Sequence, residues 1–238
     1  MSRVDIPSLY SALALRVNSC LPGGVSPISV KFPNSEKGEL AFYKVVAWAY
    51  VMFHEAAKVP CAFLAELVGG EVVKDLKQDV ARLRTYLLHN LTDSSKTDRK
   101  TIEHIKRWFR SVCGKDFPRS DEDYEECTET LFEKLQEALL LLERAAELLA
   151  DPVDGARLLG DLKSRVSRDW PAHRFDEIAL EVATELGMDF VDVRSLRERR
   201  LNRWRDALEA TEIGRERDGV IGRIRSDLLE LFGNARSD

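Results

Sequence analysis

Residues 120–150 read SDEDYEECTETLFEKLQEALLLLERAAELLA. Leucines at 131, 135, 139, 142 and 149 lie on one helical face, a period no half-buried strand would show. Ser120 with Asp123 three residues later has the form of a capping box, which marks the helix start. Asp151-Pro152 marks its end, because proline cannot continue a helix. A helix of this length calls for other helices to cover its leucine stripe, so the stretch predicts an all-α fold.

The flanking sequence agrees. Glu36 to Leu67 is apolar nearly all round, with Pro60 expected to kink or divide it. Such a helix lies at the centre of a core or also meets a partner chain. Gly69-Gly70 closes it. Leu76, Val80, Leu83, Leu87 and Leu91 then form a stripe on a helix from about Glu71 to His89. Thr97 is the expected N-cap of the next helix, with Ile102, Ile105, Phe109 and Val112 inward. Beyond Asp151-Pro152, helices are expected near 153–167, 174–186, 191–210 and 219–232. Pro22-Gly23-Gly24, Pro27 and Pro33 suggest an irregular arm over residues 1–35, with at most a short strand at Ile28 to Phe32. The expected organisation is an arm (1–35), a helical bundle (36–150) and a smaller helical subdomain (151–238).

The composition, 44% apolar and 32% charged over 238 residues, is that of a globular chain. Thirteen glycines and eight prolines are too few turn markers for a many-stranded β sandwich or barrel. The net charge of −5 excludes a uniformly basic nucleic-acid binder. That sum hides an uneven distribution. Lys74 to Arg110 carries ten basic and five acidic residues, whereas Asp121 to Asp151 carries 11 acidic residues against Lys134 and Arg144. The start of the chain lacks the form of a secretory signal, and no stretch is long and apolar enough to span a membrane. Cys20, Cys61, Cys113 and Cys127 form no C-x-x-C pair. The expectation is a cytoplasmic protein with reduced thiols, no membrane association, no metal and no cofactor.

Phosphate-loop, dinucleotide and serine-hydrolase motifs are absent, and His54-Glu55 lacks the second histidine of a zinc protease. Arginine precedes histidine by five positions three times: Arg84…His89, Arg99…His104 and Arg168…His173. The third contains Pro171 and the second has a mostly polar interior. Arg84-Thr85-Tyr86-Leu87-Leu88-His89, at a helix end, resembles the R-x(4–6)-H motif of the HEPN superfamily over about residues 38–150. Thr85 stands where Asn or Asp is more usual.

The resemblance implies an up-down helical bundle acting as a homodimer and as a metal-independent endoribonuclease. It also implies a bacterial toxin or phage-defence setting, with a cognate protein partner. Arg84 would stabilise phosphate charge and His89 would serve as acid or base, with Arg82, Thr85 and Asn90 in support. The chemistry is coherent, since imidazole moves protons near neutral pH and a guanidinium suits phosphate oxygens. On a helical wheel His89 and Arg82 project about 160° and 140° from the leucine stripe, while Arg84 flanks it. That places His89 and Arg82 on the face not used for the main core. The plainer reading makes Asp79 and Arg82 an ion pair on a solvated face and His89 a favourable helix C-terminus.

The C-terminal block offers an alternative. Val182, Ala183, Leu186, Gly187, Met188, Val193 and Leu196 fit the apolar, small and turn positions of a helix-turn-helix. Arginines at 194, 197, 199, 200, 203 and 205 follow, opposed only by Glu198. Arg194, Arg197, Arg200 and Arg203 would then contact DNA phosphates in a non-catalytic regulator or a protein-interaction subunit of a defence complex. Against base reading, Phe190 and Val191 occupy the expected start of the recognition helix. Trp170 and Trp204 read as core or interface anchors.

Overall fold

The computed structural model describes residues 5–92 and 94–233. Ten α-helices and no strand occur among them, so the all-α expectation holds. The chain forms two compact units, Met1–Leu162 and Lys163–Asp238.

In the first unit α1 (Ile6–Cys20) precedes α2 (Gly38–Val51), and a π-helical turn (Met52–Ala56) leads into α3 (Lys58–Leu67). They are followed by α4 (Glu71–Leu88), α5 (Lys96–Cys113) and α6 (Asp121–Glu147), which ends in a 3-10 turn (Leu148–Ala150). The reciprocal capping box of Ser120 and Asp123 starts α6 as the sequence predicts. Leu131, Leu135, Leu139 and Leu142 are buried, and α6 packs against every helix from α1 to α5. Replacing one of these leucines by alanine would cost about 2–5 kcal/mol. The apolar α2 lies inside this core against α4 and α6.

Three expectations need correction. The arm is not irregular over residues 6–20, where α1 buries Ile6, Tyr10, Leu13 and Val17 along one face. The following segment is tied down as well. Asn18 exchanges two hydrogen bonds with Val25, and the Tyr10 hydroxyl donates to the Ser26 carbonyl at 2.6 Å. Residues 1–4 of the proposed arm lie outside the described residues. Pro60 does not divide the first apolar segment. The break comes at Ala57, after the π turn, and Pro60 sits in the first turn of α3, where its missing N–H costs no helix bond. Finally, Ser95 rather than Thr97 caps α5, its hydroxyl accepting from the Asp98 amide.

The boundary expected at 150 falls instead within α7 (Gly155–Arg168), whose Leu158 and Leu162 remain buried in the first unit. Asp151 still ends the previous helix, but its carboxylate accepts from the Val153 and Asp154 amides and so leads straight into the next.

The second unit packs α8 (Ala172–Glu185), α9 (Val193–Ala210) and α10 (Glu216–Phe232) pairwise around Phe175, Val182, Leu196, Trp204, Ile224 and Leu228. Gly187 takes a φ of 63° just beyond α8, a backbone region that glycine adopts freely. Phe190 and Val191 lie in this turn, before the Asp192 cap of α9, so they do not open the helix. Residues 234–238 of the C-terminal subdomain lie outside the described residues.

Candidate functional site

The Arg84…His89 spacing spans the end of α4. His89 is the C-cap, with φ −118° and ψ 142°, and its amide donates to the Thr85 carbonyl at 3.0 Å. This extended backbone swings the imidazole back along the helix, and Arg84 Nη1 lies 3.3 Å from His89 Nε2. An arginine can only donate, so this contact makes Nε2 the acceptor.

The Arg84 guanidinium has a second neighbour. Its carbon lies 4.8 Å from the ring centre of Tyr50, on α2. The Tyr50 ring is stacked on His54 of the π turn, centroids 4.6 Å apart and planes 17° apart. In an α-helix, residues four apart are offset by about 40° around the axis. The wider π turn brings such residues closer to superposition, and here it aligns two rings. The result is a ladder in the order His54, Tyr50, Arg84, His89, drawn from the two helices that flank the end of the unit.

His54 Nε2 lies 3.4 Å from the Lys77 carbonyl, a long contact in which the ring nitrogen donates, leaving Nδ1 with its lone pair. Burial lowers the His54 pKa below the usual histidine value. The charges of Lys77 and Lys58 lower it further, against the hydrogen bond to the Lys77 carbonyl and the charge of Glu55. The ring is therefore neutral at pH 7.

Arg82 takes no part in this ladder, contrary to the wheel geometry. It contacts Nδ1 of His104, on α5, while His104 Nε2 donates to Asp79 at 2.8 Å. Lys134 of α6 reaches the other Asp79 oxygen at 3.3 Å. Asp79 is only 9% exposed, so it is not half of a solvated ion pair with Arg82. These four groups tie α4 to α5 and α6. Because Arg82 covers one ring nitrogen and Asp79 the other, His104 has no nitrogen open to a substrate.

The supporting residues are differently placed. The Thr85 hydroxyl donates to the Ala81 carbonyl at 2.9 Å, within its own helix, and Asn90 is exposed next to His89. Several cations of the basic segment are held internally: Lys74 by Glu71, Lys106 by Glu103 and Arg110 by Asp116. Lys96, Arg99 and Lys100, exposed on the first turns of α5, make no ion pair among the described residues. They share the α4–α5 end with Arg84 and His89. The acidic face of α6 is elsewhere, where Glu122, Glu125, Glu126 and Glu133 line a cleft with residues 33–37.

In the second unit most of the predicted DNA-contacting arginines are held by carboxylates of neighbouring helices. Arg197 pairs with Asp176 of α8 at 3.3 Å and Arg200 with Glu230 of α10 at 3.4 Å. Arg203 lies 3.0 Å from Asp227 and 3.5 Å from Glu230. Arg194 faces Glu198 on its own helix at 3.8 Å. Asp227 is fully buried and also accepts from Trp204 Nε1 at 2.9 Å.

Sequence reasoning missed Tyr50 and His54 as members of the site. Their spacing of four was visible, but only the contact between α2 and α4 brings them to Arg84. Among the described residues no helix is long and apolar enough to cross a membrane, and no group of three or more His, Cys, Asp or Glu is placed to hold a metal ion. No family model matches the chain, and neither a curated protein nor a solved structure does.

Proposed function

We propose that the α4–α5 end of the first unit binds RNA and cleaves its backbone through attack of the ribose 2′-hydroxyl. The observation that carries this reading is the Arg84 guanidinium, in contact with the Tyr50 ring and His89 Nε2 at an end of the unit where Lys96, Arg99 and Lys100 make no ion pair among the described residues. A phosphate drawn to the guanidinium would take its donors from His89 and free Nε2. His89 would then accept the 2′-hydroxyl proton as the 2′-oxygen attacks phosphorus, and return it to the departing 5′-oxygen. The products are a 2′,3′-cyclic phosphate and a 5′-hydroxyl, with no proton left over. Arg84 would balance the charge that builds on the phosphoryl oxygens. His54 and Tyr50 are positioning residues in this scheme, holding the guanidinium plane. As the HEPN resemblance implies, two copies would pair so that their ladders face a common RNA.

The test compares wild type with His89→Ala, Arg84→Ala and Arg82→Ala on total RNA in EDTA, with end-group analysis of the products. Loss of a proton-transfer group should lower cleavage by roughly 10²–10⁴-fold in His89→Ala. Four cations at the site (Arg84, Lys96, Arg99, Lys100) predict a salt slope of about −3 for single-stranded RNA. Absence of cleavage, together with RNA binding unchanged by Arg84→Ala, would sink the proposal. DNA binding abolished by Arg197→Ala/Arg200→Ala in the same preparations would favour the regulator instead.

A further inference from the structure

On the other side of His54, the π turn, α3 and α4 enclose a cavity of about 420 Å³. Phe53, Cys61, Ala65 and Val73 line it, all of them buried. Ala62 and Ala81 also line it, and the shortness of these side chains leaves the space open. Its volume lies toward the small end of the range for ligand pockets.

Two lysines, Lys74 and Lys77, are among the lining residues. Lys77 is half-buried and makes no ion pair among the described residues, whereas neighbouring Lys74 is held by Glu71 at 2.8 Å. The Lys77 charge acts on two other lining groups: it disfavours protonated His54 and opposes the burial that pushes the Cys61 thiol up to about 12. The thiol stays protonated and serves as part of an apolar floor. Glu66 also lines the cavity, and Glu71 holds Lys74, so the acidic charge there disfavours a ligand with several negative charges.

We infer that this cavity binds a small amphipathic monocarboxylate, its apolar body against Phe53, Cys61 and Val73 and its carboxylate at the Lys77 ammonium. An apolar lining with one lysine that makes no ion pair among the described residues matches a ligand with an apolar body and one anionic end. A phosphate group, which carries more charge, would meet one ammonium not already paired among the described residues, with the Glu66 carboxylate in the same lining. This site is independent of the RNA reading, although His54 forms a wall of the cavity and one end of the ladder.

The experiment titrates the full chain with sodium octanoate and with 1-octanol by calorimetry. Octanoate should bind one per chain and more tightly than octanol by about fivefold, the worth of one partly screened charge contact. Lys77→Gln should abolish that preference while keeping octanol binding. Ala62→Phe and Ala81→Phe, which fill the space from opposite walls, should each weaken both ligands by roughly tenfold or more. Thermal unfolding of each variant identifies any that fails to fold, and Lys77→Gln changes only a half-buried side chain of the lining. No saturable binding of octanoate would overturn the inference. Equal affinity for octanoate and octanol in wild type would do so too, as would binding indifferent to both phenylalanines in folded variants.

Discussion

Replacing Arg203 by methionine separates the two ways of reading the arginine-rich α9. If that face exists to meet phosphates, the loss falls on DNA affinity and stability hardly changes. The structure predicts the reverse. Arg203 Nη1 lies 3.0 Å from an Asp227 carboxylate with 0% exposure, and its other terminal nitrogen lies 3.5 Å from Glu230. Removing the partner of a buried charge costs about 3–5 kcal/mol. Asp227 would retain the Trp204 N–H at 2.9 Å and Arg223 at 3.7 Å, which places the expected loss near the lower figure. A unit as long as Lys163–Asp238 holds roughly 4–11 kcal/mol in all, at 0.05–0.15 kcal/mol per residue. A loss of about 3 kcal/mol would therefore be a quarter or more of its stability. Hydrogen exchange suits the measurement because it reports each unit separately. Amides of α9 and α10 should lose about two orders of magnitude of protection in Arg203→Met, while those of α6 are unchanged. Adding Asp227→Asn to the same chain should restore part of the loss, since the unpaired charge is gone. Unchanged protection in α9 and α10, accompanied by weakened DNA binding, would refute the reasoning.

His54 should titrate below the ordinary histidine value of about 6.5, and in the sense that burial imposes. The unfolded chain then binds the proton more readily, so this contribution to stability is complete above about pH 6.5 and declines as the pH falls below it. An NMR titration that placed the His54 midpoint at or above 6.5 would contradict the burial argument. Asp123 has the opposite chemistry and the same direction on acidification. Its pKa is lowered chiefly by the Lys115 ammonium and then by the Arg119 amide. Its stabilising effect is thus present above about pH 4 and lost as the pH falls through its folded value, and Asp123→Asn should flatten the acid limb of the unfolding curve. Gly219→Ala would place a Cβ 1.8 Å from Thr211 Oγ1 and 2.9 Å from its Cβ. The threonine must then move, which strains its 2.6 Å bond to the Ala207 carbonyl. A cost of about 1–3 kcal/mol is expected in urea unfolding, relieved by adding Thr211→Ala.

Local signals were legible where one segment decides the outcome. Ser120 with Asp123 and the leucines after it specify α6 within a single stretch of chain, and the same holds for Leu76, Val80 and Leu83 of α4, whereas Leu87 is half-buried and Leu91 lies beyond the end of that helix. The first helix is the miss: Ile6, Tyr10, Leu13 and Val17 repeat helically, but the sequence reading does not take them as a helix. The prolines and glycines between residues 22 and 33 drew the reading toward an irregular arm. What the sequence could not show is which charges meet. Asp79 finds His104 across 25 residues and Lys134 across 55, and Asp227 finds Trp204 across 23. An arginine-rich helix looks solvated until the carboxylates of its neighbours are known.

The two arginines of α4 show why spacing alone is a poor guide to this site. Arg82 and Arg84 are two residues apart, about 200° around the helix, and so they serve opposite faces. Arg82 belongs with His104 and the ties to α5, and Arg84 with Tyr50 of α2. In an unbroken helix Arg84 and His89 would also diverge, by about 140° in direction and 7.5 Å along the axis. They touch because α4 stops at Leu88 and His89 adopts extended backbone. The polar run from Asn90 to Ser95 follows that stop, and Ser95 then caps the next helix. An arginine and a histidine five apart therefore make a candidate site only where a helix ends between them. Arg99 and His104, at the same spacing inside the continuous α5, show the contrast: His104 is bonded to Asp79 and Arg82 of α4.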